Sequence, residues 1–192
     1  MNLKTNLLFI SLLLLSVVVQ CAFANFPFAF FAFPLDLLLA LIWIGGMGYA
    51  YKEKRSSVAV RIWLSPQCTY WTLGWFLGGC LVIGLFPQLS VQDAVRKSGV
   101  LSTLGCYHFT SSWIFVTGLF GLLTHLGMIT LRRFFLPGRS QWRFVLNHAG
   151  LWLALFAGFI GSAEEQTLRI PVFRTSSNNE AFTEEGNKVY LE

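Results

Sequence analysis

The sequence predicts an all-α integral membrane protein, a bundle of about five transmembrane helices with a short extracytoplasmic β-prone tail. Three observations carry that prediction. Of 192 residues, 55 % are hydrophobic and 12 % charged, with a mean hydropathy of +0.60, which is about half the charge of an average soluble domain. The apolar residues gather into segments near the roughly 20 residues that cross a hydrocarbon core. The basic residues gather between those segments.

The segments run from Leu7 to Ala24, Leu35 to Tyr51, Thr69 to Phe86, Ser112 to Leu131 and Phe144 to Ala163. Only the second carries a charge, Asp36, at its end. Helices are expected because backbone N–H and C=O groups in lipid must be satisfied within their own segment, and no segment shows the alternation of a barrel strand.

Charge sets the orientation. Lys4, then Lys52, Lys54, Arg55 and Arg61, then Arg132, Arg133, Arg139 and Arg143 fall on one side, nine basic residues against five on the other. Every acidic residue except Glu53 lies on the second side. By the positive-inside rule the N-terminus is cytoplasmic and the C-terminus lies on the opposite side, in a multi-pass membrane protein. The net charge of +5 is then a topology signal, and no nucleic-acid partner is expected because the basic residues flank membrane segments.

The first segment reads equally as a signal peptide, since a basic start and an apolar centre precede Ala22-Phe23-Ala24. Cys21, Cys68, Cys80 and Cys106 show neither CxxC nor metal-ligand spacing. Cys21 and Cys80 are expected to be small core residues. Gly74 with Gly78, Gly45 with Gly48, and Gly150, Ala154, Gly158 and Gly161 are small-residue faces that let helices approach in a compact bundle or dock another membrane protein.

The three histidines are the residues that could carry chemistry. His108 precedes the fourth segment on its outer side, whereas His125 and His148 lie inside the fourth and fifth segments. Both are expected at roughly 6 to 9 Å from the cytoplasmic boundary, at one level. Gly118 and Gly121 precede His125 at i−7 and i−4, and Trp152 follows His148 at i+4. A histidine in a span needs a partner. Either it hydrogen-bonds a neighbouring helix, or it ligates a haem iron through one nitrogen while the other is hydrogen-bonded.

The stretch FVLNHAGLWLALFAGFIGSAEEQTLRIPVF, with the preceding SSWIFVTGLFGLLTHLGMITLRR and the earlier WFLGGCLVIGLFPQ, resembles the three N-terminal membrane helices of the ResB (CcsB) family. The resemblance covers roughly Trp71 to Leu191. It implies a membrane subunit of system II cytochrome c biogenesis, acting with a ResC (CcsA) partner that together with it moves haem and presents it to the CxxCH motif of apocytochrome c. It also implies that this chain is an accessory subunit rather than an enzyme, with catalysis mainly in the partner. By position, His148 in LNHAG matches the intramembrane ligand of haem b, its counterpart ligand coming from the partner. Asn147 and Trp152 would support it, and no family role passes to His108 or His125.

On that reading residues 1–66 hold two extra N-terminal helices and a basic cytoplasmic loop, 67–163 the ResB-like three-helix region, and 164–192 the start of a truncated extracytoplasmic domain. In the tail, QTLRIPVF and NKVYL read as short strands and RTSSNNEAFTEEG as a polar turn region. About 30 residues cannot bury a core of their own. The competing expectations are a cytochrome b-like electron-transfer protein, with His125 as second ligand to the iron held by His148, and a cofactor-free structural fragment.

Overall fold

The structure is a computed structural model, and it describes residues 3–28, 32–89, 93–94, 97, 99–135 and 142–162, together with the backbone of 168–169, 180–183 and 188–190. Arg96, Arg139 and most of the tail, on which parts of the charge and strand expectations rest, lie outside the described residues.

In chain order the helices are α1 (Leu3–Phe23), α2 (Leu35–Glu53), α3 (Val58–Trp63), α4 (Pro66–Leu85), α5 (Val100–Thr103), α6 (Trp113–Phe134) and α7 (Trp142–Gly161), with a 3₁₀ segment Cys106–Ser111 leading into α6. Four of them, α1, α4, α6 and α7, are long and apolar enough to cross a membrane. The chain thus has the organisation of an integral membrane protein. α2 is a long fifth helix, but Asp36 at its start and Lys52 and Glu53 at its end shorten its apolar stretch.

Local sequence sets the helix starts. Ser57, Ser65 and Ser112 each accept a hydrogen bond from the backbone N–H three residues on, at 3.3, 3.3 and 3.1 Å, so each satisfies one orphan donor of the first turn. Pro66 occupies the first turn of α4, where no N–H partner is needed. Gly105, with φ of 74°, makes the left-handed step between α5 and the 3₁₀ segment that an L side chain would resist.

α6 is the central helix. Half of its most apolar window is buried, against 6 % for α7, and it packs against α1, α2, α4 and α7. The indole of Trp75 on α4 occupies the space beside Gly118, where an added Cβ would lie 2.5 Å from Trp75 Cδ1. Trp152 of α7 and Met47 of α2 close on Gly127 in the same way, at 3.1 and 3.2 Å. Met47, Tyr51, Val60 and Met128 form a core cluster with Trp43, Trp63 and Trp152 packed around it.

α1 is tied in at both ends. Asn6 Oδ1 accepts from Trp71 Nε1 at 2.9 Å and from Gln67 Nε2, and Gln20, only 1 % exposed, accepts from the Trp113 backbone N–H at 2.8 Å. Phe9 stacks on Trp71 between these ties, with ring centroids 5.9 Å apart.

The small-residue faces named from the sequence are corrected in part. An added Cβ at Gly45, Gly48, Gly74, Gly78, Gly150, Gly158 or Gly161 meets nothing within 4 Å, so these glycines are not the close contacts of the bundle. Cys21 and Cys80 are likewise exposed, whereas Cys68 and Cys106 are buried, because the faces of α1 and α4 that carry the first pair look away from α6. In the tail, Leu168–Arg169, Glu180–Thr183 and Lys188–Tyr190 pair as an antiparallel sheet, with Leu168 opposite Thr183 and Glu180 opposite Tyr190. The central strand comes from the region expected as turn.

Candidate functional site

α7 holds the first candidate, and its edge position explains the exposure of its side chains. His148 is half-buried and Asn147 exposed. His148 Nδ1 lies 3.0 Å from the carbonyl oxygen of Phe144, one turn back. A carbonyl only accepts, so Nδ1 carries a proton, and in the neutral ring Nε2 keeps the lone pair. The imidazole also stacks on the Phe144 ring, with centroids 3.7 Å apart and an interplanar angle of 18°. The Arg133 guanidinium at the end of α6 lies over that same ring at 5.2 Å.

Trp152, one turn further along α7, is turned inward. Its Nε1 donates to the Leu123 carbonyl oxygen at 2.9 Å, and its ring stacks on Phe156 at 4.6 Å. Trp152 therefore anchors α7 to α6. Among the described residues Asn147 has no such contact, and it stands on the exposed face.

His125 is a different kind of histidine. It is 3 % exposed, with Nδ1 2.7 Å from the Trp63 carbonyl oxygen and Nε2 2.8 Å from Thr69 Oγ1. Nδ1–H donates to the carbonyl, and Nε2 accepts from the threonine hydroxyl. Neither nitrogen is left for iron. Gly118 and Gly121 lie on this same face, against Trp75 and against Thr72 and Trp63, so the i−7, i−4 stripe marks where α3 and α4 pack on α6.

The expected common level of the two imidazoles also changes. Trp152 meets α6 between Leu123 and Gly127, and Arg133 meets Phe144. Those two contacts fix the pairing of α6 with α7 and put His148 one turn, about 5 to 6 Å, nearer the Arg133 end than His125. His125 turns toward α3 and α4, away from the α7 surface. A shared haem between these two residues thus lacks its second ligand.

His108, expected to have no ligand role, has Nδ1 2.9 Å from the Leu89 carbonyl oxygen and so holds the 3₁₀ segment before α6 to the chain that follows α4. Burial pushes the Cys106 thiol pKa up from its ordinary value, against a smaller lowering by a backbone hydrogen bond. Among the described residues no group of three His, Cys, Asp or Glu could enclose a metal ion. Among the described residues His148 and His108 each keep one ring nitrogen without a protein partner, and of the two histidines in long helices only His148 does, so a haem held there would need the rest of its site from outside this chain.

Sequence reasoning missed Thr69 and Trp63 as partners of His125, and it noted Asp36 only as a charge at a segment end. Asp36 is 6 % exposed and its Oδ1 has no hydrogen-bond partner among the described residues. No family model, curated protein or solved structure matches the chain.

Proposed function

We propose that this chain is a membrane subunit of a haem-delivery complex of the ResB type, working with a ResC/CcsA-like membrane partner in cytochrome c biogenesis. The observation that carries the reading is the contrast between two intramembrane histidines. His125 has both nitrogens engaged within the bundle, whereas His148 has one engaged and its Nε2 presented from a half-buried position on α7.

When bound, haem b would supply an iron that accepts the imidazole lone pair. The chain's own residues do the rest. Phe144 holds the tautomer and the ring plane, and Trp152 fixes α7 against α6. Gly150, Gly158 and Gly161 meet no neighbour within 4 Å, and this open surface of α7 suits a partner helix that brings the second ligand. Arg132 and Arg133 at the end of α6 support a cytoplasmic placement for that end.

Expression of the full chain alone and together with a ResC/CcsA-like protein tests the proposal. Haem absorption only in the pair supports it. Haem in the lone chain would favour a cytochrome b-like protein, and haem in neither would leave a structural bundle.

A further inference from the structure

One end of the bundle gathers positive charge around a group of aromatic rings. The stretches 52–61, 132–135 and 142–143 belong to the end of α2 and the start of α3, the end of α6 and the start of α7. They carry seven exposed Lys and Arg side chains and one carboxylate, Glu53, a far steeper excess than the 14 to nine of the whole chain. Ring contacts show that these stretches meet in space. Tyr51 stacks on Phe135 at 5.7 Å, Phe135 meets Phe134 at 5.3 Å, and Phe134 meets Trp142 edge-on at 5.9 Å. Val60 of α3 shares the core cluster with Tyr51.

Two features set this surface apart from a group of solvated charges. The first is how a cation is seated. The Arg55 guanidinium lies over the Tyr51 ring, 5.4 Å from its centroid, and Tyr51 is only 4 % exposed, so the cation rests on a fixed part of the core. A guanidinium drawn to a ring face retains N–H donors for an acceptor on its other sides, and phosphate oxygens suit that fork.

The second is what adjoins the charge. Phe134, Phe135 and Trp142 are 53, 63 and 55 % exposed. They stand beside Arg132 and Arg133, which close the last turn of α6, and α6 is one of the helices of membrane length. An acidic peptide would meet the cations and leave these rings uncovered. A molecule with an anionic head and hydrocarbon chains covers both.

We propose that this end of the bundle binds an anionic phospholipid selectively. Its phosphate oxygens pair with the guanidinium groups of Arg55 and Arg132, and its hydrocarbon lies along the exposed rings of Phe134, Phe135 and Trp142. The proposal is independent of the haem reading, since no contact of His148 is among those it uses.

The test takes the full chain, delipidated in neutral detergent, adds dioleoyl phosphatidylglycerol or dioleoyl phosphatidylcholine, and counts retained lipid by native mass spectrometry. Phosphatidylglycerol should be retained several-fold over phosphatidylcholine, and R55Q/R132Q should cut that preference about threefold or more. Equal retention of the two lipids by the wild type would overturn the proposal, as would an unchanged preference in R55Q/R132Q. If that variant does not fold, salt on the wild type supplies the same comparison: about 0.5 M sodium chloride should reduce the preference by screening, and a preference indifferent to salt would overturn the proposal. Hexaglutamate tests the other occupant. Failure of the peptide to displace bound phosphatidylglycerol supports the lipid, whereas displacement at low peptide concentration would overturn it and assign the surface to an acidic protein segment.

Discussion

His148 donates from Nδ1 to the carbonyl oxygen of Phe144 at 3.0 Å while its ring lies flat on the Phe144 ring at 3.7 Å. The carbonyl fixes which nitrogen keeps the lone pair, and the stacking fixes where it points. Such positioning of a ligand histidine governs how well it holds a metal. Phe144→Leu keeps the carbonyl and removes the ring. In the partnered complex it should lower copurifying haem several-fold and shift the absorption maximum, with insertion unchanged. Haem content and spectrum like those of the wild type would deny Phe144 a positioning role.

His125→Ala should damage stability. It leaves the Trp63 carbonyl and the Thr69 hydroxyl without their partner inside the bundle, and it opens a void at a helix contact. Together these effects are about 2 to 4 kcal/mol. Thermal unfolding of the full chain in detergent should show a clear drop in Tm, and a Tm within a degree of the wild type would contradict the assignment. Haem recovered per folded partnered complex should stay near the wild-type level.

The glycines separate into two groups that a matched pair of substitutions distinguishes. Gly118→Ala places a Cβ 2.5 Å from the Trp75 ring, and the indole is held by its own bond to the Ile114 carbonyl oxygen at 3.0 Å, so about 1 to 3 kcal/mol of destabilisation is expected. Gly78→Ala adds a methyl with nothing within 4 Å and should leave the lone chain's Tm unchanged. A reversed order in the two melting curves would mean that α4 packs on α6 through another face.

Much of the helical plan was legible because the solvent dictates it. A chain in lipid must close its backbone hydrogen bonds locally, so apolar length alone locates α1, α4, α6 and α7 to within a few residues. The faces were less legible. In a nearly uniform apolar helix such as α1 or α4, periodicity does not say which side meets a neighbour. Gly74 and Gly78 therefore looked like a contact, while Gly79, against Phe115 at 3.0 Å, and Gly118 are contacts. The role of His125 was equally hidden, since its partners Trp63 and Thr69 lie 62 and 56 residues away in sequence. Asp36 offered a signal, as the only charge in the expected spans, but its burial comes from elements that meet only in the fold.

Cys106 gives a pH test. Burial raises its thiol pKa, so the neutral form persists to higher pH than in an ordinary cysteine and the reactive thiolate is scarce near neutrality. In a variant with the other three cysteines replaced by serine, maleimide labelling of the folded chain at pH 7 should be much slower than after denaturation. The folded rate should rise with pH only beyond the range where a free thiol ionises. Rapid labelling of folded protein at pH 7 would show that Cys106 is accessible and ordinary.

The claim that His148 is the chain's haem ligand rests on one free nitrogen, and one spectrum tests it. His148→Ala, expressed as the full chain with a ResC/CcsA-like partner, should insert normally yet lose the copurifying haem absorption. Added imidazole should restore part of that absorption by filling the vacated coordination position. Undiminished haem in the His148→Ala complex would contradict the assignment and leave His148 as a side chain satisfied by Phe144 alone.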